Sequence, residues 1–442
     1  MRRTRRAEGV ILVGLLLAAS AGRAATPVQF PDARATDPNL LGWMTGSPPP
    51  AEKLIRYDDG SFYRFPQWRW SFSNWRQFHP TLALSRGGAP VVALPRAERP
   101  DLDAVTFTPL TGADSMTWAQ SLEANYTDGV VVLHRGRIVY ERYFGALTAE
   151  KPHVAFSVTK SFFGTIAAAL IAEGALDANA KIGRYIPELA SSAWGDATVA
   201  QTLDMTTAVD FVENYVGEST SMLAYRDATG FLPRPAGATG PASIYAFLPT
   251  LGKKGAHGEA FTYRTPNTDV VGWLIARVTG KPPASVLSER IWSRLGVEDD
   301  AFLAVDRHGT PLVGSSLNAR LRDLARFGEM MRLGGRFNGQ QIAPRAAVDE
   351  IRRGASREAF AKAGYATLPG WSYKNQWWVA HDDHGVFMAR GIHGQALYID
   401  PKAEMVIARF ASHPLAGNVN LDPTSLPAYR AVAEHLMRTA KE

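Results

Sequence analysis

The chain has 442 residues, with 48 basic against 42 acidic side chains and a formal charge of +6. With 46% hydrophobic, 20% charged and 10% aromatic residues it can bury a sizeable core, which excludes a disordered, collagenous or coiled-coil chain. It has no cysteine, so disulfide frameworks, thiolate metal sites and thiol nucleophiles are excluded, and its chemistry must use oxygen or nitrogen.

Residues 1–24 have the form of a secretory signal peptide: Arg2, Arg3, Arg5 and Arg6, then an apolar stretch over 10–19, then small residues over 21–25. The apolar run is about half the ~20 residues that a membrane span needs, so no stable membrane anchor is expected. Ala7 and Glu8 stand where a twin-arginine signal wants apolar residues, which favours Sec-type export to the periplasm or beyond. Cleavage after Ala24 removes five arginines and one glutamate and leaves a charge of +2. The basic excess is therefore mostly an export label, with no electrostatic case for nucleic acid.

Residues 25–115 form a Pro/Trp-rich N-terminal extension, with Pro48, Pro49 and Pro50 in a row and Trp43, Trp68, Trp70 and Trp75 close together. Asp59-Gly60, between LIRY and SFYRF, predicts a hairpin turn. The aromatics fit either packing against the main body or a carbohydrate- or wall-binding surface. Residues 116–442 carry the main pattern. GVVVLHRGRIVYERYFG (129–145) predicts a hairpin around Arg-Gly, and SVTKSFFGTIAAALIAEG (157–174) a buried helix apolar on every side. A helix is expected over 316–335, β runs over 371–380, 385–390, 395–399 and 405–410, and a closing helix over 425–437. The fold class is α/β of the α+β kind: one antiparallel sheet built from both chain ends, flanked by helices, with an inserted all-helical region.

No GxSxG elbow, HExxH or GxxxxGK[ST] loop is present. What remains is Ser157-Val158-Thr159-Lys160. Three positions apart on a helix, the serine and the lysine share a face. The positive end of the helix dipole disfavours a further cation there, and burial pushes the lysine the same way, so a neutral base is physically reasonable. The motif alone is weak and also fits a capping serine beside a solvated lysine. Against that stands the helix itself, which otherwise offers nothing to water.

The sequence resembles the serine β-lactamase and penicillin-binding protein superfamily over about residues 120–440. SVTK is followed by Phe261-Thr-Tyr263-Arg-Thr-Pro-Asn267, similar to a Tyr-x-Asn block, and by Gly391-Ile392-His393-Gly394-Gln395 in the place of a Lys-Thr-Gly strand. Within the superfamily DMTTAVDFVENY (204–215), YRTPNTDVVGW, GIHGQ and Ser412-His413-Pro414 resemble 6-aminohexanoate-dimer hydrolases and related esterases. The resemblance implies a β-lactamase/DD-peptidase-like fold cleaving small linear amides or esters. Ile392 replaces the lysine that grips a β-lactam carboxylate, and Thr265 the Tyr-x-Asn asparagine.

These readings give Ser157, Lys160 and Tyr263 as catalytic residues, with the backbone N–H groups of Ser157 and Gln395 as the oxyanion hole. By resemblance Tyr215 contacts the scissile amide and Trp377 and Ile392 line the acyl pocket, although strand parity leaves Trp377 and Trp378 as alternatives for the core. Gly394 is expected to keep the strand clear of substrate. His393 orients the pocket or satisfies a buried turn; His413 contacts a substrate carboxylate or supports the residues that do. His79, His134 and His257 have no metal-ligand spacing, and no metal or cofactor is implied. The partner is a small amide or ester. Two other readings stand: a β-lactamase, D,D-carboxypeptidase or D-aminopeptidase on peptidoglycan-like substrates, and a catalytically silent wall-binding protein.

Overall fold

Arg135 and Gly136 both take left-handed backbone angles (φ 52° and 75°), the geometry that matches strand twist, and close a hairpin of β1 (Thr127–His134) and β2 (Arg137–Tyr143). The other five strands of this sheet come from the far end of the chain: β3 (Ser372–Lys374), β4 (Trp377–Val379), β5 (Phe387–Arg390), β6 (Ala396–Asp400) and β7 (Met405–Ala411). Their order is β3-β4-β5-β6-β7-β1-β2, antiparallel throughout, with Ala408 of β7 opposite Val131 of β1. The structure, a computed structural model, describes residues 30–112, 114–215 and 219–439. The expected signal peptide lies outside them.

Side-chain alternation sends the strands into two cores. Val131, Leu133, Leu397, Val406 and Ala408 face one, with helices α1 (Val158–Ala172) and α3 (Leu321–Arg332); Val130, Val132, Tyr398 and Ile407 face the other, with α4 (Asp422–Thr439). A further helix, α2 (Thr265–Thr279), packs on α1 from the helical region between the two chain ends. As expected for a central helix, α1 is buried continuously from Val158 to Leu170.

Several local expectations are corrected. At Asp59-Gly60 the left-handed Gly60 (φ 70°) leads into a 3-10 turn over Ser61–Tyr63, because Ser61 Oγ ties back to Arg56 and no second strand forms. Residues 316–335 begin as a strand, Leu317–Ala319, before α3 starts at Leu321. That strand belongs to a small second sheet ordered Thr81–Leu84, Ala301–Ala304, Leu317–Ala319, His153–Val154. The run at 371–380 is two strands, broken by left-handed Asn375 and Gln376. The Pro/Trp-rich segment belongs, from Asp32 onward, to the same compact unit as the main pattern. Trp68 Nε1 donates to Ser412 O at 3.1 Å, and Thr81–Leu84 supplies the edge of the second sheet.

The Asn375-Gln376 turn also locks the central helix. Ser161 Oγ donates to Gln376 O at 2.7 Å, and a Cβ at Gly164 would stand 2.1 Å from Asn375 O. Alanine at this position has no room without separating helix and turn. Gly164→Ala is expected to destabilise the protein by about 1–3 kcal/mol, the usual cost of overpacking. Urea unfolding checks this, and an unchanged midpoint would mean that α1 does not need this contact.

Candidate active site

Ser157 caps the N-terminus of α1 directly after Phe156, whose φ of 43° is a costly conformation for an aromatic residue. The turn is held by Thr159, whose hydroxyl donates to Phe156 O at 2.5 Å, and by the His153–Val154 strand just before it. Ser157 is thereby left 7% exposed at the mouth of a cavity, while Lys160, one turn on, is 1% exposed.

Lys160 Nζ lies 2.9 Å from Ser157 Oγ, 3.0 Å from Thr265 Oγ1 and 2.6 Å from Gly314 O. Gly314 O can only accept. Thr265 Oγ1 donates its proton to Glu213 Oε1 at 2.8 Å, so toward Lys160 it can only accept as well. A neutral amine has two N–H bonds and one lone pair. With both N–H bonds committed to Thr265 and Gly314, the lone pair faces Ser157. Burial pushes the Lys160 ammonium down to about 8, against the opposing pull of Glu213 and Asp269, which brings the neutral form within reach of physiological pH.

Glu213 is the hub of this arrangement. Besides Thr265 Oγ1 it accepts the Thr265 N–H at 2.5 Å and the Tyr215 hydroxyl, so it fixes the start of α2 and one wall of the cavity together. One turn into α2, Asp269 accepts the Tyr225 hydroxyl at 2.7 Å, and burial pushes its carboxyl above the usual range. Tyr263, just ahead of α2, stacks on Trp378 with ring centroids 5.7 Å apart, and its ring centroid lies 5.0 Å from Lys160 Nζ. Burial, reinforced by the charge of Glu213, pushes its phenol well above the ordinary tyrosine range, while a hydrogen bond with Ser157 works the other way. Near neutral pH Tyr263 therefore keeps its proton, and Lys160 is the one of the two whose neutral form is accessible.

A cavity of about 600 Å³ opens over Ser157, lined by Tyr215, Tyr263, Tyr365, Trp378 and Ile392 among others. A narrower one, about 50 Å³, shares Ser157, Tyr215 and Ile392 and is walled by Tyr63, Phe231 and Leu312. Strand β5 ends against the nucleophile: a Cβ at Gly391 would stand 2.7 Å from Ala155 O, so only glycine lets Ile392 come this close to Ser157.

Ser157, Lys160, Tyr263, Tyr215 and Ile392 are thus gathered at one site. The others are placed elsewhere. Gln395 does not line either cavity; its amide donates to Ile392 O and Ala411 O, and its carbonyl accepts the Gly391 N–H, so it braces the loop from beneath. Trp377 points into the core, donating to Thr165 Oγ1 at 3.1 Å, and strand parity turns its neighbour Trp378 to the cavity. His393 is bonded to Tyr63 OH and His413 O, and His413 to Leu415; burial pushes both imidazoles down to about 4, so His413 is neutral where a substrate carboxylate would need a cation. At Gly394 a Cβ would stand 2.7 Å from Leu421 and 2.9 Å from Ala411, so packing alone calls for glycine there. Among the described residues no cluster of three His, Asp or Glu side chains could hold a metal ion.

Sequence reasoning passed over Glu213, Gly314, Asp269 and Tyr63, and took Thr265 as a mere departure. Glu213 and Asp269 do sit within DFVENY and YRTPNTDVVGW, where an acid amid apolar residues is a usable signal.

A serine at the start of a buried helix, a lysine one turn on, a tyrosine beside both and an antiparallel sheet at the side are the arrangement of a serine hydrolase of the β-lactamase fold. The family model for Beta-lactamase matches residues 119–424, and the chain belongs to that family. It is 33% identical over 389 residues to the 6-aminohexanoate-dimer hydrolase of Paenarthrobacter ureafaciens, covering 88% of this chain and 91% of the relative. Among solved structures it is similar to a putative 6-aminohexanoate-dimer hydrolase from Bacillus anthracis, with TM-score 0.80, 32% identity and coverage of 88% and 99%. A hydrolase with promiscuous acyltransferase activity shares the fold, with TM-score 0.54, 16% identity and coverage of 72% and 98%.

Glu213 raises the Lys160 pKa by its charge, so its removal must lower it. Glu213→Gln retains an acceptor for Thr265 without the charge. The acid limb of the pH–rate profile for ester hydrolysis is expected to move down by about one unit. An unmoved limb would show that Glu213 does not act on the base.

Proposed function

We propose that the chain is an exported serine hydrolase that cleaves small linear amides or esters through an acyl-enzyme on Ser157. The observation that carries this reading is the coordination of the buried Lys160 amine by Ser157 Oγ, Thr265 Oγ1 and Gly314 O, which in the neutral form of the amine turns its lone pair to the serine hydroxyl. In acylation Ser157 Oγ bonds to the substrate carbonyl carbon while its proton passes to Lys160. Tyr263 gives its proton to the leaving nitrogen or oxygen as that bond breaks, and Lys160 restores it. Water then repeats the sequence on the acyl-enzyme and releases the acid.

The oxyanion donors in this reading are the backbone N–H groups of Ser157, at the N-terminus of α1, and of Ile392, which replaces Gln395 because Ile392 is the loop residue at the cavity. Kinship with 6-aminohexanoate-dimer hydrolases supports linear amides as substrates. Ile392 in place of a lysine removes the grip on a β-lactam carboxylate and disfavours the β-lactamase and carboxypeptidase readings. The intact Ser157, Lys160 and Tyr263 set disfavours a silent wall-binding protein. Export rests on residues 1–24 alone, and the partner is the small-molecule substrate.

The test is labelling by a fluorophosphonate probe together with turnover of a p-nitrophenyl ester and a chromogenic cephalosporin. Both labelling and ester turnover are expected to vanish in Ser157→Ala, with the cephalosporin turned over far more slowly by the unmutated protein. Equal labelling of Ser157→Ala contradicts the nucleophile; a cephalosporin rate matching the ester favours the β-lactamase reading.

A further inference from the structure

The two cavities that meet at Ser157 differ about twelvefold in volume, about 600 Å³ against 50 Å³, and the chemistry decides which half of the substrate enters each. The group that leaves must take a proton from Tyr263. Tyr263 lines the large cavity and not the narrow one, so the leaving group lies in the large cavity and the acyl group in the narrow one. A water-sized group needs about 10–15 Å³ by this measure, so the narrow cavity holds roughly four such groups. That is a methyl to a propyl chain beyond the carbonyl.

Resting on the hydrolase reading above, we infer that the enzyme removes short acyl groups, of about two to four carbons, from bulky leaving groups, and that Tyr63 sets the length limit. Tyr63 comes from the N-terminal segment, which gives that segment a place in the site. Its hydroxyl is 3.1 Å from His393 Nε2, and His393 Nδ1 is 2.7 Å from His413 O. Its ring meets Phe231 edge to face at 4.8 Å, and Phe231 is itself held 5.6 Å from Trp75. Met222, 6% exposed, closes another side of the same cavity from a helix over Thr220–Thr229. A wall braced this way does not yield cheaply to a longer chain. The large cavity, by contrast, is of a size that takes drug-sized molecules, with Tyr365, Trp378 and Phe261 as apolar surfaces and Arg264 and Lys362 as polar ones. The substrate class is therefore an acetyl- to butyryl-like linear amide or ester whose amine or alcohol half is the larger.

The experiment is kcat/KM for p-nitrophenyl esters of acetic, butyric, hexanoic, octanoic and 6-aminohexanoic acids, with the full chain and with Tyr63→Ala, Tyr63→Phe and Met222→Ala. Hexanoyl is expected to fall at least about tenfold below butyryl in the unmutated protein, in the range that added methylenes command in an apolar pocket. Tyr63→Ala and Met222→Ala should each bring the hexanoyl-to-butyryl ratio back toward one, while Tyr63→Phe, which keeps the wall, should leave the ratio low. Hexanoyl or 6-aminohexanoyl turnover equal to butyryl in the unmutated protein overturns the inference. So does an unchanged ratio in either truncated variant that gives a native circular dichroism spectrum. Absence of Ser157-dependent turnover with every ester is a different result and counts against the hydrolase reading itself.

Discussion

A lysine amine sealed from water beside a serine hydroxyl can present that hydroxyl with either an N–H bond or a lone pair, and only the second makes it a base. Here two other acceptors fix where the lone pair points once the amine is neutral. Gly314 O takes one N–H, and Thr265 takes the other because its own proton is committed to Glu213. Burial then weakens the preference for the charged form, and the nearby carboxylates limit how far it falls. Each member comes from a different part of the chain: α1 for Ser157 and Lys160, α2 for Thr265, the loop ahead of the Thr220–Thr229 helix for Glu213, and the turn before the Leu317–Ala319 strand for Gly314. The purpose of the fold, seen from this contact, is to bring four such pieces within hydrogen-bond distance and keep water out.

The two packed cores do that work. Helix α1 is buried from Val158 to Leu170 between α2, the Arg345–Arg353 helix and the sheet, with Phe162 stacked on Phe327 of α3, which fixes the lysine, and β5 runs up to Ser157 with Gly391 pressed against Ala155. Beneath that loop Gln395, His393 and Arg409 tie its carbonyls and side chains to β7 and the segment after it. The His393 and His413 side chains, expected to face substrate, are bonded instead to this loop and the segment after β7. A loop that offers a backbone N–H must be held rigidly, since an electrostatic donor is effective only when it needs no rearrangement.

What could be read from sequence was what is local or periodic. Ser157 and Lys160 lie one helical turn apart and declare themselves together with the apolar helix that follows; the β1–β2 hairpin declares itself by alternation around Arg-Gly. The antiparallel sheet from both chain ends followed from the order of such runs. Glu213 and Gly314 could not be read this way, because their importance exists only once distant segments meet at Lys160. Trp377 and Trp378 were distinguishable only by the parity of a three-residue strand, which the Asn375-Gln376 turn sets. That Ile392 and not Gln395 lines the cavities could not be read either, because the 3-10 turn over Ile392–Gly394 has no sequence period of its own. Tyr63 lay in a stretch whose aromatics fitted either packing or binding, and the structure gives it a share of both.

The account depends on the protonation of a single amine in the resting protein. Nitrogen-15 labelling of the lysine side chains with pH titration by NMR reads it directly, the Lys160 resonance being assigned by its loss in Lys160→Arg. An apparent pKa near 8, well below that of the exposed lysines, is the expected result. A Lys160 amine that stays protonated to pH 10 or above would contradict the account, because no lone pair would then face Ser157 at the pH where the enzyme works.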